Sequence, residues 1–477
     1  MKTLYDFQET ARVKVNSSLN SGRNPVLCMP TGTGKTFTAC NIILDRINMK
    51  ERVFILTPQI EIFEQWLVAL ADIGIDFGII NEGTVLGQNK LVYVCMPLTL
   101  ANILSKLPAP FFPHTIISDE NHHSMCETWQ NIYNFYPNAK RLGLTATPKR
   151  TDGKPLTPTY DEIIEVITFK DAIQREFLSD YLLVVPEEYK MNIPIRNGDY
   201  DVQDQARLLG ETRIIGNAIE WYSKIFSGLP CLVACATFEH ANQMTAAFCE
   251  AGWSFEHIHS GLATAERKRM LRELRTGKIN GLCTVGIGIE GMDIPGLFGL
   301  IWLRRTLSVT IFLQFIGRAL RKSADKKYGI ILDLVGNVFI HGLPDRERNW
   351  TLDGKQAQEG EAYDAPKMKI CPQCSVLNAE QNHVCHICGY DFINGGLTAG
   401  NARKIPAMVD GELVLLDESN LSERKEEIKA ALNKQREIKA EKEKPPVELS
   451  RVEKMRLLKT GLERKNGLFA DAVRERL

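Results

Sequence analysis

Two short segments of this chain carry residue types that could perform chemistry together. The first occupies residues 29–36, reads Met-Pro-Thr-Gly-Thr-Gly-Lys-Thr, and follows the apolar run Val26-Leu27-Cys28. A strand that enters such a turn and continues as a helix directs backbone N–H groups at phosphate oxygens. Lys35 is then expected to reach the terminal phosphates, and the Thr36 hydroxyl to hold Mg²⁺. The predicted nucleotide-binding residues are Thr31, Gly32, Thr33, Gly34, Lys35 and Thr36.

The second segment, residues 119–122, reads Asp-Glu-Asn-His and follows the apolar run Thr115-Ile116-Ile117. Asp119, at the end of a predicted strand, can hold the Mg²⁺ shell, and Glu120 can orient and deprotonate an attacking water. A glycine-rich turn alone could arise by chance, but an acidic pair after a buried strand argues against that. The two segments together predict that water attacks the terminal phosphate of a nucleoside triphosphate, with Mg²⁺ as cofactor.

The first segment departs from the general P-loop pattern, because Met29 stands where that pattern has glycine. A loop written Pro-Thr-Gly-x-Gly-Lys-Thr is typical of superfamily 2 helicases of the DExH/DEAD type, and the chain resembles them over about residues 5–321. The resemblance implies two tandem RecA-like domains and a helicase or translocase whose ATP hydrolysis is stimulated by nucleic acid. Gln8 then corresponds to the family's adenine-reading glutamine.

Other motifs of the first domain follow in the family's order. Thr57 and Pro58, with Gln65-Trp66 nearby, resemble the first motif that contacts nucleic acid. Thr145 and Thr147 resemble the element that couples hydrolysis to domain movement, although β-branched residues also favour strand ends without such a role.

Motifs of the second domain extend the resemblance. The nucleotide is expected to contact Gly291 and Asp293, within Glu290-Gly291-Met292-Asp293. Contacts to phosphates carry no sequence information, so the implied binding of a single strand is independent of sequence. The resemblance assigns those contacts to Thr57, Pro58, His259, Ser260, Gly261 and Thr284.

Arg318 and Arg321 lie three residues apart on a predicted helix and are therefore expected to share a face. By resemblance both reach the triphosphate and neutralise charge that develops during transfer, while Gln314 senses the γ-phosphate or its water. The alternative is an ordinary basic surface. His122 is expected to form a hydrogen bond that links the ATP site to the opposite domain, although a lone histidine is more commonly packed or solvated.

Composition limits the class of protein. A chain of 477 residues is too long for a single core and suggests two or three domains. With 58 basic and 58 acidic residues, a nucleic-acid-binding protein must concentrate its positive charge locally or bind through backbone N–H groups. The polar N-terminus does not resemble a signal peptide, and no apolar run approaches a membrane span. We therefore expect a cytoplasmic protein with reduced cysteines that does not contact membranes.

Short apolar runs alternate with amphipathic stretches, a pattern typical of buried parallel strands in α/β layers. The predicted fold class is thus α/β, with a first RecA-like parallel-sheet domain at 1–160 and a second at 205–345. Residues 161–204 are interpreted as an irregular connector with one helix near Lys170–Phe177, and 346–367 as a linker. The nucleotide is expected in the cleft between the domains, at the carboxyl ends of the first domain's strands.

A cysteine-rich module is predicted at 368–392. Its pairs Cys371-Pro-Gln-Cys374 and Cys385-His-Ile-Cys388 have the spacing of a tetrahedral Zn²⁺ site in a small zinc ribbon. Reduced thiols or a redox pair are the alternatives, and His383 or His386 could replace one ligand. The remaining stretch, 393–477, is predicted to be a charged, partly helical tail, whose last basic helix is either a solvated face or a DNA-binding arm.

A narrower resemblance comes from Asp333-Leu-Val-Gly336-Asn337 followed by His341-Gly342. This arrangement, with the ribbon after it, is similar to the RadD-like DNA repair ATPases of bacteria and their phage relatives. It implies a monomer acting on DNA, in preference to RNA, during repair, recombination or replication, with a repair or replication protein as a possible partner. The alternatives are an RNA helicase and a nucleic-acid-dependent ATPase switch that remodels a partner complex without unwinding.

Overall fold

The fold is taken from a computed structural model of the chain. The structure describes residues 3–354, apart from gaps at 88, 108–110, 151–152, 186–192, 197–198, 210–217, 227, 286–293, 295, 324–325 and 327, and short pieces at 368–370, 377–379, 383–384, 390–393 and 396–397. The described residues separate into two compact units. The first is formed within Met1–Thr168 with Glu347–Gln356, and the second within Phe169–Arg346.

The first unit contains an eight-stranded sheet. Its strands are β1 (Pro25–Cys28), β2 (Val53–Leu56), β3 (Phe77–Asn81), β4 (Thr84–Leu86), β5 (Val92–Cys95), β6 (Thr115–Asp119), β7 (Lys140–Thr145) and β8 (Glu162–Glu165). Their order is β4-β3-β5-β2-β6-β7-β1-β8, and only β4 runs antiparallel to its neighbour. Strands β1, β2, β5 and β6 are buried along their whole length, because helices cover both faces of such a sheet.

The helices of this unit are α1 (Asp6–Asn20), α2 (Lys35–Asn48), α3 (Ile60–Asp72), α4 (Pro97–Ile103) and α5 (Glu127–Phe135), with short 3₁₀ turns at Leu104–Lys106 and Asn121–Met125. Aromatic contacts bind the helical layer to the sheet. The ring of Phe54 in β2 packs at 5.6 Å from Tyr93 in β5 and at 5.9 Å from Tyr136, just after α5. These edge-on contacts pack the end of α5 against the sheet.

The second unit contains a six-stranded sheet that is parallel throughout. Its strands are β9 (Asp180–Val184), β12 (Cys231–Cys235), β13 (Phe255–Ile258), β14 (Gly281–Val285), β15 (Gly299–Leu303) and β16 (Tyr328–Asp333), in the order β13-β14-β12-β15-β16-β9. Separately, β10 (Ile195–Arg196) pairs antiparallel with β11 (Asp199–Tyr200). The helices are α6 (Phe169–Gln174), α7 (Val202–Leu209), a π-helical turn (Tyr222–Phe226), α8 (Phe238–Glu250), α9 (Thr264–Thr276), α10 (Val309–Ala319) and α11 (Asn337–His341).

Two tandem parallel-sheet units of this kind confirm the predicted α/β class. No helix in the described part of the chain combines the length and the apolar character that crossing a membrane requires.

The interpretation of residues 161–204 as largely irregular was wrong. Strand β8 pairs with β1 of the first sheet, and β9 pairs with β16 of the second. Both are edge strands with a neighbour on one side only, so they are less completely buried than central strands and their apolar pattern is weak. The predicted helix is present as α6, and the predicted domain boundaries stay predictions.

Short antiparallel pairs flank the cysteine-rich segment. Strand β17 (Met368–Ile370) pairs with β18 (Leu377–Ala379), and β19 (Tyr390–Asp391) pairs with β20 (Gly396–Leu397). Val384 also forms an antiparallel bridge with Asp391. The four predicted zinc ligands, Cys371, Cys374, Cys385 and Cys388, lie outside the described residues.

Candidate nucleotide-hydrolysis site

The predicted phosphate-binding turn lies between β1 and α2. The N–H of Met29 extends the sheet by donating to the Thr145 carbonyl at 3.0 Å. The turn then closes on Pro30, whose carbonyl accepts hydrogen bonds from the Thr33 N–H at 3.2 Å and the Thr33 hydroxyl at 2.7 Å. Gly32 and Gly34 have φ values of 93° and 85°, which L-residues with side chains rarely adopt. Helix α2 begins at Lys35 without a side-chain cap, so its first N–H groups face the turn.

Gln8 holds this turn from the side. Its buried amide donates from Nε2 to the Thr33 carbonyl at 2.9 Å and accepts from the Tyr5 N–H at 3.1 Å. A Cβ atom on Gly34 would overlap Gln8 Nε2, so this contact requires glycine there. The glutamine that the resemblance assigns to adenine therefore also supports the phosphate-binding turn, while its contact with adenine stays a prediction.

The structure brings the two predicted halves of the site together. Lys35 Nζ lies 3.6 Å from Asp119 Oδ1 and 3.7 Å from Glu120 Oε1. Burial alone would lower the pKa of Lys35, but the carboxylates of Glu120 and Asp119 outweigh it and raise that pKa. Burial raises the pKa of Asp119, and the Lys35 ammonium opposes this shift. The two carboxylates thus keep Lys35 charged at the start of α2, next to the predicted phosphate-binding turn.

Backbone geometry at the end of β6 sets the direction of the acidic pair. Asp119 is the last residue of β6 and pairs in register with Leu144 of β7. The next residue, Glu120, has a φ of 48° and so turns the chain sharply, and its N–H donates to Asp119 Oδ1 at 3.0 Å. This left-handed turn directly after the strand lets both carboxyl groups approach Lys35 Nζ, at 3.6 and 3.7 Å.

Trp66 contributes to the site in a way that sequence reasoning missed. The resemblance groups it with Gln65 in a motif that contacts nucleic acid, but its side chain is fully buried and its Nε1 donates to Asp119 Oδ2 at 2.8 Å. Trp66 therefore orients the carboxylate that is predicted to hold Mg²⁺. The sequence could have revealed that Trp66 is buried, though not its partner, since the core positions of α3 have helical spacing: Ile62, Phe63, Trp66, Leu67 and Leu70.

Replacing Trp66 with phenylalanine is expected to weaken the binding of Mg²⁺ that hydrolysis requires. The indole donor is lost while an aromatic ring still fills the core, and loss of such outer contacts typically costs about 10- to 100-fold in metal affinity. A Mg²⁺ titration of ATPase rate would measure this as a higher midpoint concentration. The matched control is Trp129→Phe, which changes a buried tryptophan of the hydrophobic core in the same unit. Equal midpoints for both variants would contradict the role of Trp66.

His122 lies beside the predicted catalytic carboxylate but is uncharged. Its Nδ1 is 3.6 Å from Glu120 Oε2, beyond hydrogen-bond distance. Burial, with smaller effects from His123, Lys35 and Arg150, lowers the pKa of His122 to about 3. Arg150 donates from Nη1 to the His122 carbonyl at 2.7 Å and so fixes its backbone. The predicted link from His122 to the other domain stays a prediction.

The threonines assigned to coupling and to nucleic acid in the first unit are buried. Thr145 ends β7, where its hydroxyl donates to the Thr147 carbonyl at 3.0 Å and accepts from the Thr147 N–H at 3.0 Å. This closed turn lies next to the phosphate-binding turn, because the Thr145 carbonyl pairs with Met29. The Thr57 hydroxyl contacts Met96 Sδ at 3.7 Å, while the adjoining Pro58 is partly exposed.

The predicted arginine helix corresponds to α10, but it ends earlier than the sequence indicated. Gln314 and Arg318 are buried within it, whereas Arg321 follows its last residue, Ala319, and forms an antiparallel bridge with Leu178. The expectation that both arginines share one helical face was therefore wrong. Burial lowers the pKa of Arg321 to about 10, so the guanidinium is charged at neutral pH.

Lys326 explains where α10 ends. Its buried Nζ donates to the carbonyls of Ala319, Leu297 and Arg321, the last two at 2.6 and 3.2 Å, and burial lowers the pKa of this amino group to about 7. A hydrogen-bond donor at the carboxyl end of a helix satisfies carbonyl groups that have no partner within the helix. The chain can then leave the helix and pair with the segment around Leu178.

The Asp333-to-His341 motif supports the segment that enters α10. Asn337 accepts from the Thr306 N–H and donates to the Arg304 carbonyl, both at 2.9 Å. His341 donates from Nε2 to the Thr306 carbonyl at 2.8 Å, and its ring stacks on Phe312 at 4.8 Å. Asp333 Oδ2 accepts from the Val338 N–H at 2.8 Å, and burial raises the pKa of this carboxyl to about 6. These contacts of the motif thus hold in place the segment that connects β15 to α10.

The other residues of the second unit that are predicted to contact nucleic acid or nucleotide lie after β13, within β14 or after β14. The turn of His259, Ser260 and Gly261 is closed by a hydrogen bond from the Leu262 N–H to the His259 carbonyl at 3.2 Å. Ser260 and Gly261 are exposed, whereas Thr284 is buried inside β14. Gly291 and Asp293 lie outside the described residues. In the part of the chain that the structure describes, no group of three or more His, Cys, Asp or Glu side chains could hold a metal.

Comparisons with known proteins agree with the predicted class of protein. Residues 1–150 match the family described as Type III restriction enzyme, res subunit, and residues 217–323 match the helicase conserved C-terminal domain. A 51.5 kDa protein of a Lactococcus phage (isolate 7-9) is 32% identical over 366 residues, which are 76% of this chain and 77% of the phage protein.

Two further likenesses are more distant. The DNA 3'-5' translocase XPB2 of Sulfurisphaera tokodaii is 24% identical over 376 residues, 70% of this chain and 81% of that protein. The solved ATP-dependent Type ISP restriction-modification enzyme LlaBIII bound to DNA superposes with a TM-score of 0.51 at 19% identity, over 69% of this chain and 28% of that enzyme. This last likeness shows the fold alone.

A phosphate-binding turn and an acidic pair in one parallel-sheet unit, followed by a second such unit, define an ATP-hydrolysing motor that acts on nucleic acid. The chain belongs to the superfamily 2 helicases and is an ATP-dependent helicase or translocase.

Proposed function

We propose that the chain acts on DNA, during repair, recombination or replication, as a cytoplasmic monomer whose ATP hydrolysis DNA stimulates. The observation that carries the ATPase part is the approach of both carboxylates to Lys35, at 3.6 and 3.7 Å. DNA as substrate is supported by the DNA translocase among the relatives and by the motif from Asp333 to His341 that resembles RadD-like ATPases. A repair or replication protein is the partner that this resemblance suggests.

The residues around Lys35 fit a nucleotide with Mg²⁺. Asp119 and Thr36 offer a carboxylate and a hydroxyl, and oxygen ligands are those that this small cation prefers. When bound, the ion supplies charge neutralisation and orientation of the phosphate oxygens. The uncapped start of α2 and the glycine turn from Thr31 to Gly34 would bind the phosphates through N–H groups, and Lys35 would leave its carboxylates for the terminal phosphate.

Glu120 is then proposed as the base. It accepts a proton from the water that attacks the terminal phosphorus, and the bond to the bridging oxygen breaks. In the second unit, Arg318 and Arg321 are proposed to neutralise the charge that develops on the phosphate, with Gln314 near the γ-phosphate or its water. Gly291 and Asp293 complete the proposed nucleotide contacts.

Nucleic acid is proposed to bind through its phosphates, without sequence preference. The proposed contacts are Thr57, Pro58, His259, Ser260, Gly261 and Thr284. The side chains of Thr57 and Thr284 are buried, so their hydroxyls do not reach a strand at the surface in this structure. These two residues would therefore contact phosphates through backbone N–H groups, or after a rearrangement. Thr145, Thr147 and His122 are proposed to couple hydrolysis to movement.

A zinc ribbon is proposed at 368–392, with Cys371, Cys374, Cys385 and Cys388 as ligands. Backbone pairing supports it, because each Cys-x-x-Cys pair falls between segments that pair antiparallel: β17 with β18, and Val384 with Asp391. The Phe392 N–H also donates to the His383 carbonyl at 2.9 Å. Hairpin turns are the usual place for paired thiolates that bind zinc.

Replacing Cys374 with serine is expected to release one Zn²⁺ per chain while leaving basal ATP hydrolysis near the parent rate, because the ATPase residues lie in the earlier units. Elemental analysis of the purified protein measures the first effect, and an ATPase assay the second. Cys126→Ser is the control, since it removes an exposed cysteine of the first unit. A folded parent protein that contains no zinc would disprove the ribbon.

The proposed function is tested by measuring ATPase rate with single-stranded DNA, duplex DNA and RNA as activators, followed by strand separation on forked substrates. Stimulation by DNA and unwinding of forked DNA are the expected results. Stimulation by RNA alone would favour the RNA helicase, and stimulation by DNA without unwinding would favour a switch that remodels a partner complex. Failure of every nucleic acid to stimulate hydrolysis would overturn the proposal.

A further inference from the structure

Helix α8 begins with a phenylalanine that is unusually exposed. Phe238 leaves 44% of its surface accessible, although it follows closely on the end of a buried strand. A single exposed apolar side chain needs no explanation by itself. Its surroundings make this one different, because the ring does not project alone into solvent.

Phe238 lies against two histidine rings. Its centroid is 4.5 Å from that of His257 and 4.7 Å from that of His259, with interplanar angles of 61° and 69°. The two imidazoles are 4.9 Å apart. These three residues are here named the Phe238 cluster. Contacts near edge-to-face hold the phenyl ring in place without stacking another ring flat against it.

The backbone around the Phe238 cluster is held by hydrogen bonds. The Thr237 hydroxyl caps α8 by accepting from the His240 N–H at 3.2 Å, and His240 Nδ1 accepts from the Ala236 N–H at 3.3 Å. On β13, His257 Nδ1 is 2.7 Å from Oδ1 of Asn242, a residue of α8. The exposed ring is therefore positioned in advance, which reduces the entropy that a ligand must offset on binding.

The topology places this cluster along the proposed path of nucleic acid. Phe238 follows β12, His259 follows β13, and Thr284 lies near the end of β14, which pairs with both strands. The three strands are parallel, so their carboxyl ends meet at one edge of the sheet. His259 also opens the exposed turn that is proposed to contact phosphates. An aromatic face thus adjoins a phosphate-contacting turn.

We propose that the Phe238 cluster is a stacking site for a base of the bound single strand. The proposal rests on the proposed function, since it concerns the same nucleic acid. A protein that binds a strand without sequence preference commonly pairs phosphate contacts with aromatic rings, because every base has a face that can stack. Burial lowers the pKa of His257 to about 4, so at neutral pH this ring offers an uncharged aromatic surface.

The test is the affinity of the full chain for a labelled oligo(dT), measured by fluorescence anisotropy with a non-hydrolysable ATP analogue present. Phe238→Leu is expected to weaken binding by about 5- to 150-fold, the effect of losing one base–aromatic stack. Phe238→Trp keeps an aromatic face and is expected to bind within a few-fold of the parent. The matched control is Phe135→Leu, because Phe135 is 50% exposed and contacts Tyr136 edge-on at 5.0 Å.

An abasic strand separates stacking from other effects. It keeps the phosphates but has no bases, so Phe238→Leu is expected to bind it as the parent does. If Phe238→Leu loses as much affinity for the abasic strand as for oligo(dT), the stacking site is overturned and the residue has a structural role. The same conclusion follows if Phe238→Trp loses as much affinity for oligo(dT) as Phe238→Leu does. Unchanged binding of both strands by Phe238→Leu would overturn it as well. A parent protein that binds no strand would instead refute the proposed function, and the stacking site with it.

Discussion

Replacing Glu120 with glutamine is expected to preserve ATP binding and to slow hydrolysis by about 10²- to 10⁴-fold, the usual cost of removing a base that activates water. The amide keeps the size of the side chain but cannot take a proton. It also removes one of the two negative charges near Lys35. Lys35→Ala is expected to differ, because the triphosphate then loses its cation and binding itself is weakened.

Single-turnover hydrolysis and nucleotide binding, measured separately, distinguish these two effects. Glu127→Gln is the matched control, since the same change is made at an exposed position in the first turn of α5. Hydrolysis by Glu120→Gln at the parent rate would show that another group activates the water. Loss of binding together with hydrolysis would show that the left-handed turn at Glu120 has collapsed.

The sequence predicted which residues lie together here, because those residues are local to two turns. The phosphate-binding turn and the acidic pair each occupy one short segment, and each follows an apolar run that forms a buried strand, β1 and β6. Parallel strands bring their carboxyl ends to one edge of a sheet, so the approach of Lys35 to Asp119 and Glu120 follows from the order of motifs and strands.

What the sequence could not predict depends on contacts between distant segments. The bond from Trp66 to Asp119 joins residues 53 positions apart, and an aromatic residue on a helix gives no sign of its partner. The capping of α10 by Lys326 is of the same kind, since a lysine in a polar stretch resembles a surface residue. Edge strands β8 and β9 are hard to predict because pairing on one side leaves a weak apolar pattern.

The early end of α10 changes what is expected of its arginines. Arg318 is buried within the last turn of the helix, whereas the backbone of Arg321 is held by the bridge to Leu178 and by Lys326 at its carbonyl. The backbone of Arg321 is thus held by two contacts beyond the end of α10. A held backbone limits the positions that the Arg321 side chain can reach, and electrostatic stabilisation depends on groups that need little reorganisation.

Arg321→Ala is accordingly expected to retain ATP binding and to lose about 10³- to 10⁵-fold of the hydrolysis rate that nucleic acid stimulates, the contribution of an arginine finger in related phosphoryl transfer. Arg321→Lys is expected to recover little, since a lysine keeps the charge but lacks the planar fork of donors. Because the pKa of Arg321 is about 10, its guanidinium stays charged between about pH 6 and 8, so its own titration adds no pH dependence to the defect there.

Stimulated and basal rates, with thermal unfolding of each variant, decide between this role and a structural one. Arg207→Ala is the control, since its side chain on α7 is 78% exposed and forms a long ion pair of 3.7 Å with Asp204. A catalytic arginine predicts a normal unfolding temperature with a large loss of stimulated rate in both Arg321 variants. Recovery of the stimulated rate in Arg321→Lys would contradict this role. So would a loss of rate that parallels a fall in unfolding temperature, and Arg321 would then serve to hold the end of α10.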